Sequence, residues 1–542
     1  MTSIPTTQPR ETARGRLYPP LGRAFVYLSL GMAVSFFAFG YFKPYYTKAA
    51  SDMVSAYEGL LFNSGLPPDF LVYPGLIDRA ALGLWYQFLH AVGLLAPWRL
   101  SDLPQGGDLK TYEATWQSLV QAGRAYSLAT AVLCTGAFLW LVKRWLGDTR
   151  IAILAAAAFA FSSGNALAFR ILRPEMLTAA LVFCALLLVL IAARDGRTHA
   201  RFGALALAGF LVALAVIDKV QAVIPALTIL PLALAFGPDK PHTPGERPSG
   251  TPALAAVLAV AAACALWPAV HILGQGVAQM PGETGFAYKP LSGGMSGRYQ
   301  LIIAAGIIAS MATYGALWRL AVLEAVAGIA AVGLGLGLGY DLLALNTSAS
   351  ALTAVANPLE HLQANSAGDG EGLLSQGSAV VGTTILKAIG KALAIHTFIK
   401  PTHRPTLIIE WLALAAAYAS LRRGDRLHAL QIGLLIGSAI GQDALFSLRD
   451  VKSYYLPYSD APIILAGALA LTKYAGSIEL PRFERLTVAA LALYVVWGHA
   501  TLARAVVYGQ HDRGKVCGIV MQFTKRITIP YCADPTLLGQ AK

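Results

Sequence analysis

Charged residues are scarce in this chain. They make up 13% of its 542 residues, whereas apolar residues make up 56%. Soluble domains carry about 25% charged residues, so this chain cannot cover a water-facing surface of its size. Its apolar runs continue over about 20 residues, which excludes the alternating strands of a membrane barrel. The sequence therefore predicts an all-α polytopic membrane protein and excludes a cytosolic enzyme, a collagen, a coiled coil and a disordered chain.

Patterns that would indicate several other functions are missing as well. The net charge is +13, but no basic stretch carries interleaved aromatic residues, so nucleic acid is not an expected partner. Anionic lipid, a phosphate-bearing substrate and membrane topology explain the positive charges better. The histidines, His396 among them, show no metal-ligand spacing, and no metal or cofactor is expected. No internal repeat is evident, which disfavours a transporter built from inverted repeats.

Positive residues set the expected orientation. Four arginines precede the first apolar run, Ala24–Phe42, so residues 1–23 are predicted to be cytoplasmic. The chain has about thirteen apolar runs in all, and an odd number of spans places the tail 506–542 outside, in the periplasm of a bacterial inner membrane. Three connections rich in Lys and Arg all fall on the cytoplasmic side of that count: 143–150, 194–201 and 422–426.

The predicted spans divide the chain into two membrane modules joined by a cytoplasmic linker. Residues 24–236 form the first module and residues 251–505 the second, with the Pro- and Gly-rich linker 237–250 between them. Three long outer segments interrupt the modules: 43–121, 275–298 and 342–404. Because the cytoplasmic connections are short, the additional mass lies outside the membrane, and we expect the chemistry there.

The first outer loop, 43–121, contains two amphipathic helical patterns. In segments 51–62 and 79–95, apolar residues recur at helical spacing and share one face. Helices of this kind lie at the membrane interface with the apolar face towards lipid, so we expect that position for both. The residues of the first face are Met53, Tyr57, Leu60 and Leu61, and those of the second are Leu82, Trp85, Leu89 and Val92.

Asp52 is the acidic residue of this loop with the clearest functional interpretation. It lies off the apolar face of its helix, so we expect it to point into the protein or into water. One interpretation is a general base at the outer membrane face. The other is a helix N-cap, because Ser51 and Asp52 open the helical pattern. Glu58, Asp69 and Asp78 are expected to be solvated loop charges.

A family resemblance begins at this loop. The stretch SDMVSAYEGLLFNSGLPPDFLVYPGL starts at Ser51, directly after the first span. It resembles the start of the first periplasmic loop in polyprenyl-phosphate-sugar-dependent glycosyltransferases of the GT-C class, the superfamily of ArnT-like and protein-mannosyltransferase-like enzymes. In that family an acidic residue activates the acceptor hydroxyl, and Asp52 occupies its place. Many relatives carry Asp-Glu there, whereas this chain has Asp52-Met53 and lacks the second acid.

Three further stretches are similar to segments of the same family. VALAVIDKVQAVIPAL, residues 212–227, resembles a hairpin whose short outer turn presents a lysine to the donor phosphate, and Lys219 matches that lysine. LRDVKSYYLPYSDAPIIL, residues 448–465, resembles a segment that commonly reads Lys/Arg-x-x-Arg-Tyr-x-x-Pro, with Ser453 in place of the usual Arg. RILRPEML, residues 170–177, fits the outer turn between the third and fourth spans.

The resemblance implies a GT-C fold and inverting transfer of a sugar from a polyprenyl phosphate at the periplasmic face. The acceptor would be a hydroxyl of a glycolipid, a polysaccharide or a protein. One carboxylate, that of Asp52, would deprotonate this hydroxyl, and cations would bind the phosphate that leaves, so that no metal is required. The donor-phosphate candidates are Arg170, Arg173, Lys219, Arg449, Lys452 and Tyr455, and the supporting acids are Glu58 and Glu175, the latter expected to orient an arginine.

Two alternatives stay open. A transporter or flippase for an anionic lipid-linked sugar would use the same cations, and it should show ionisable residues in paired intramembrane positions. Glu410 and Asp443 are the candidates for such positions, and in the sequence they form no pattern. An O-antigen-ligase-like transferase would instead use a pyrophosphate donor.

Of the five cysteines, Cys517 and Cys532 lie in the polar tail after the last predicted span. Two cysteines in a non-cytoplasmic tail can form a disulfide, and two free thiols are the alternative.

Overall fold

The structure is a computed structural model in which helices and short turns account for the described residues. No strand occurs among these residues, which confirms the all-α class for this part of the chain. The described residues are 20–69, 75–104, 108–194, 198–237, 251–274, 305–306, 309–318, 320–344, 378–399, 404–447, 455–474, 486, 489–499, 516–518 and 524–533.

The first module begins with helix α1, Leu21–Phe36, which continues as one π-helical turn, Phe37–Tyr41. The first outer loop then contributes α2, Ala49–Asn63, and α3, Leu76–Ala91. The remaining helices of the module are α4 Leu109–Leu146, α5 Thr149–Ala160, α6 Ser163–Ala168, α7 Glu175–Arg194, α8 Thr198–Asp218 and α9 Val223–Leu234.

The second module contains α10 Thr251–Gly274, α11 Val322–Ala344, α12 Ser378–His396, α13 Thr406–Arg422, α14 Arg426–Ser447, α15 Leu456–Tyr474 and α16 Ala489–His499, and the tail ends in α17, Pro530–Ala533. The segment 342–404, predicted as an outer loop, contains the helix α12. Lys387 and Lys391 interrupt the apolar pattern of this helix, so the sequence shows no continuous apolar run there.

Several helices have the length and composition of membrane spans. Among the described residues, six helices are long and apolar enough to cross a membrane: Leu21–Tyr41, Leu109–Leu146, Glu175–Arg194, Ala200–Asp218, Val322–Asp341 and Arg426–Ser447. Four shorter apolar helices accompany them: Thr149–Ala160, Val223–Leu234, Pro252–Pro268 and Ala489–His499. The polytopic membrane class is therefore confirmed, and the count of about thirteen spans stays a prediction.

Helix α2 lies inside the protein rather than against lipid. Its apolar residues Met53, Tyr57, Leu60 and Leu61 are fully buried, and they belong to one core cluster with Leu82, Tyr86 and Trp116. The expectation that this face contacts lipid is therefore wrong. The physical reason is that α3 and the outer part of α4 cover it. On α3 a different stripe is exposed, formed by Leu84, Phe88 and Val92.

The C-terminal tail packs on the first outer loop. Cys517 and Cys532 form a disulfide with their Cα atoms 5.4 Å apart. The Tyr45 hydroxyl donates to the Tyr531 hydroxyl at 3.4 Å, and Arg526 Nε lies 3.0 Å from Asp69 Oδ1. The tail and the first outer loop therefore lie on the same side of the protein.

Candidate functional site

A short turn between α6 and α7, residues 169–174, gathers the charged residues that the sequence singled out. Helix α6 is capped by Ser162, whose Oγ accepts from the backbone N–H of Asn165 at 3.3 Å. Pro174 directly precedes α7, where its fixed φ suits the start of a helix. The turn therefore carries Arg170 and Arg173 out of one helix and delivers Glu175 into the first turn of the next.

The Asp52 carboxylate contacts this turn and is fully buried. Its Oδ2 accepts from Arg124 Nη2 at 2.7 Å and from Arg124 Nε at 3.0 Å, and its Oδ1 accepts from the backbone N–H of Leu172 at 2.8 Å. The N-cap position of α2 is Lys48, and no side chain caps the helix there. The N-cap interpretation of Asp52 is therefore wrong, and the side chain is one half of a buried ion pair.

Sequence reasoning missed Arg124, which decides the environment of Asp52. Arg124 is almost completely buried in the outer part of α4, and it also donates to the backbone carbonyl of Lys43 and, at 3.2 Å, to that of Pro44. The pair thus ties α4 to α2 and to the chain that leaves α1. A lone arginine at the edge of an apolar run was the available signal, because such a charge needs a partner.

Glu175 links two cations of the predicted donor site. Its Oε1 lies 3.2 Å from Arg173 Nη1 and forms an ion pair with Lys219. Arg173 Nε also donates to Ser51 Oγ at 2.8 Å, which joins this group to the start of α2. Lys219 Nζ lies 5.3 Å from the centre of the Tyr455 ring. Burial lowers the pKa of Lys219, and the negative charge of Glu175 partly opposes that shift.

Asp218 fixes the turn that carries Lys219. Its Oδ1 accepts from the backbone N–H groups of Ile77 at 3.2 Å and Asp78 at 2.9 Å, at the start of α3, and its Oδ2 accepts from the Thr178 hydroxyl at 2.7 Å. Asp78 is itself buried and accepts from the Tyr126 hydroxyl at 2.9 Å. Burial, and secondly the charge of Asp218, raise the pKa of Asp78 to about 8.

Arg170 differs from the other cations in its partners. Its guanidinium donates to the Ser35 carbonyl at 3.1 Å, to the Ser35 hydroxyl and to the Ala166 carbonyl, and it lies 3.5 Å from His499 Nε2. No carboxylate pairs with it among the described residues. Burial lowers its pKa to about 9. A Cβ on Gly40 would lie 2.8 Å from Arg170 Cγ, so a glycine in the π-helical turn makes room for this side chain.

The other acids of the outer loop are not solvated, which contradicts the expectation from sequence. Glu58 is buried, and its Oε2 lies 3.4 Å from Arg79 Nε. The backbone N–H of Asp69 donates to Glu58 Oε1 at 3.2 Å, and the Asp69 side chain bonds Tyr57 and Arg526. These acids hold the loop and the tail together, apart from the turn 169–174.

The structure thus brings one part of the predicted site together. We call these residues the outer cluster: Asp52, Arg124, Arg173, Glu175, Lys219 and Tyr455. Arg170 leaves the same turn towards α1 and α16. The candidates Arg449 and Lys452 lie outside the described residues.

A second charged network lies at the neighbouring helix ends. Glu410 and Asp443 contact the same histidine, His396, and Asp443 also pairs with Arg404. The inference that the two acids form no pattern is therefore wrong, since their common partner lies in a segment interpreted as a loop. We call the whole set the Arg404 centre: His396, Arg404, Glu410, Asp443, Ser459 and Asp460. No group of three or more metal-ligating side chains is found within the described ranges.

Neither a family model nor a curated protein sequence matches this chain. Two solved structures are similar to it. The oligosaccharyltransferase of Archaeoglobus fulgidus, crystallised with Zn and sulfate, is 15% identical over 95% of this chain and 57% of that chain, with a TM-score of 0.45. ArnT from Cupriavidus metallidurans, bound to undecaprenyl phosphate, is 16% identical over 84% of this chain and 78% of that chain, with a TM-score of 0.30. This chain therefore spans less than two thirds of the oligosaccharyltransferase, and likeness at this level assigns no activity and no residue role.

Proposed function

We propose that this chain is an integral-membrane glycosyltransferase of the GT-C class. It transfers a sugar from a polyprenyl phosphate to a hydroxyl of a glycolipid, a polysaccharide or a protein at the periplasmic face. The observation that carries the proposal is the outer cluster, in which a carboxylate and several cations meet at one turn between apolar helices. These are the groups that such a transfer requires, namely a base for the acceptor and cations for the leaving phosphate.

The donor phosphate binds cations of the turn 169–174 and of the turn after α8. Arg170 is the first of them, because a buried guanidinium without a carboxylate is costly and a phosphate would compensate it. Lys219 and Arg173 both contact the carboxylate of Glu175, so two more cations lie next to each other at this turn. Charge-assisted hydrogen bonds from these groups would stabilise the phosphate as the sugar leaves it.

Asp52 acts as the base in this proposal. An ionised carboxylate offers about four lone-pair sites, and Arg124 and Leu172 occupy three of them. The remaining site accepts the proton of the acceptor hydroxyl while the oxygen attacks the anomeric carbon and the phosphate departs, which inverts the configuration. Because Asp52 is fully buried, the acceptor reaches it only after the outer loop or the turn 169–174 moves.

A specific observation favours a second candidate function, a transporter or flippase for an anionic lipid-linked sugar. That alternative calls for paired ionisable residues within the membrane. The Arg404 centre supplies such pairs between α12, α13, α14 and α15.

Purified protein in nanodiscs, supplied with labelled polyprenyl-phosphate sugars and hydroxyl acceptors, tests the first function. We expect the label to move to an acceptor, in preference to water. A parallel assay in liposomes would measure movement of the same donor between leaflets. Movement of the donor without any transfer, for every sugar and acceptor tried, would refute the glycosyltransferase and favour the flippase.

A further inference from the structure

The Arg404 centre joins five ionisable side chains at the ends of four helices. His396 ends α12, Arg404 precedes α13, Glu410 lies on α13, Asp443 on α14 and Asp460 on α15. All five are at most 3% exposed. Charges buried this deeply are tolerated when their partners compensate them, so the balance of charge within the centre determines how it behaves.

On one side of the centre, Arg404 is held by two aspartates. Its Nε lies 2.8 Å from Asp460 Oδ1, and its Nη1 pairs with Asp443. Its Nη2 donates to Ser459 Oγ at 2.7 Å, and that hydroxyl donates to Asp443 Oδ1 at 2.6 Å. One guanidinium therefore faces two carboxylates, and one negative charge remains on this side.

On the other side, His396 lies between two carboxylates. Its Nδ1 is 2.7 Å from Glu410 Oε2, and its Nε2 is 3.0 Å from Asp443 Oδ2. A neutral imidazole has one N–H donor and one acceptor nitrogen, whereas an ionised carboxylate only accepts. Both contacts are therefore hydrogen bonds only when an additional proton is present, either on the imidazole or on one of the carboxylates.

We propose that His396, Glu410 and Asp443 form a one-proton binding site that fastens α12 to α13 and α14. With the proton bound, both hydrogen bonds of His396 form. When the proton leaves, one carboxylate faces an imidazole lone pair, that hydrogen bond is lost, and α12 is held less firmly against its two partners. This proposal is independent of the glycosyltransferase function, since none of the three residues belongs to the outer cluster.

The carboxylates around the site favour retention of the proton, whereas the charge of Arg404 opposes it. Glu410 and Asp443 face His396 directly, and Arg404 and Asp460 lie behind Asp443. The lysines of α12, Lys387 and Lys391, are exposed. Burial disfavours the charged imidazole, but the hydrogen bonds to Asp443 and Glu410 outweigh it and raise the pKa of His396 above 6.5. The stability that this site contributes is therefore full below that pH and is lost as the pH rises through the raised pKa.

The decisive variant is Glu410→Gln. The amide of the new side chain can donate to Nδ1 of a neutral His396, while Nε2–H donates to Asp443, so the network is complete without the additional proton. We expect the thermal midpoint of the full chain in nanodiscs to fall by about 2 °C more in the wild type than in Glu410→Gln between pH 6 and pH 9. All other titrating groups are the same in the two proteins. Their contribution therefore cancels when the slope of the thermal midpoint against pH is compared between the wild type and Glu410→Gln.

Hydrogen exchange gives a local measurement of the same event. After correction for intrinsic rates, α12 should exchange faster at pH 9 than at pH 6 in the wild type and equally at both in Glu410→Gln. His90→Gln is the matched control, because His90 lies on α3 and bonds only the backbone carbonyls of Leu95 and Ala96. That control should keep the pH slope of the wild type.

His396→Gln provides a second route to the same conclusion if Glu410→Gln does not fold. This variant should be less stable than the wild type at pH 6. Its thermal midpoint should no longer change with protonation of the site. The proposal would be overturned if the thermal midpoints of the wild type and of the folded variant changed equally with pH. It would also be overturned if the corrected hydrogen exchange of α12 in the wild type were the same at pH 6 and pH 9.

Discussion

The two charged regions, the Arg404 centre and the turn 169–174, differ in which sign of charge is in excess. In the Arg404 centre, three carboxylates surround one guanidinium and one histidine, and each of these groups has a charged partner inside the protein. In the turn 169–174, Arg170 is buried beside a hydroxyl and two carbonyls, with no carboxylate partner among the described residues. A buried charge is stable only when it is compensated. The first region therefore takes up a proton, and the second is suited to an anion from outside.

The largest effect is expected where Asp52 is changed. Asp52→Asn should lower turnover by about 10²–10⁴-fold, because the amide cannot accept the proton of the acceptor. The substitution also leaves Arg124 without an anion, so both variants of the pair, Asp52→Asn and Arg124→Gln, should lose about 3–5 kcal/mol of unfolding free energy.

Arg124→Gln is the matched control for that experiment, since it breaks the same ion pair and keeps the carboxylate. Transfer rates should be measured at a temperature at which both variants are folded. If Asp52 is the base, Arg124→Gln should retain far more turnover than Asp52→Asn. If the two variants lose turnover equally, the pair has a structural role and Asp52 is not the base.

Arg404 and Arg170 offer the direct test of the comparison. Arg404→Gln leaves two buried carboxylates without a cation and should cost about 3–5 kcal/mol of unfolding free energy. Arg170→Gln should cost much less stability, because it removes a buried charge that pairs with no carboxylate in the described part of the chain. It should instead weaken donor-phosphate binding by about 1.5–3 kcal/mol. Thermal unfolding and donor titration measure the two effects, and equal destabilisation by both substitutions would contradict the distinction.

Lys219 should show a loss of donor affinity of the same kind and size. Lys219→Ala is expected to weaken donor binding by about 1.5–3 kcal/mol, and Lys219→Arg should restore part of it. Arg173 remains beside Glu175 in both variants, so the buried carboxylate keeps one cation. Donor affinity that is unchanged in the alanine variant would remove Lys219 from the phosphate site.

Asp78 should produce an effect that depends on pH. Its pKa is raised to about 8 by burial and by Asp218, so the stability it contributes is full below its usual pKa and is lost as the pH rises through 8. Asp78→Asn keeps an acceptor for the Tyr126 hydroxyl and cannot ionise. Its thermal midpoint should come closest to that of the wild type below pH 4 and exceed it at pH 9. A variant that is less stable than the wild type at pH 9 would contradict this.

The last test changes no residue and measures how the chain is oriented in the membrane. This orientation decides on which membrane face the two charged regions lie. The tail with Cys517 and Cys532 packs on the first outer loop, so labelling of these thiols reports the side of both. In intact cells, a membrane-impermeant thiol reagent should label them only after reduction. Labelling that requires disruption of the membrane would place the loop and the tail in the cytoplasm.

The sequence allowed the fold class and part of the site to be predicted. In lipid, every backbone polar group must be bonded within its own segment, so long apolar runs with few charges can only be helices. The family resemblance implied the candidates Arg173, Glu175 and Lys219, and a charge in a short turn between apolar runs supported Lys219; the structure joins all three. Their spacing in the sequence, however, did not reveal that Glu175 is shared by the two cations.

The sequence by itself therefore determined which segments are apolar helices and which charges lie at their ends, because both depend on local composition. Only the tertiary structure decided the partner of each charge. Arg124 is 72 residues from Asp52, and Asp443 is 47 residues from His396. Pairing over such distances depends on which helix faces meet, and that is a property of the packing of the whole chain. For this reason Asp52, expected to point into the protein or into water, is one half of a buried ion pair, and Glu410 and Asp443, which form no pattern in the sequence, share one proton with His396.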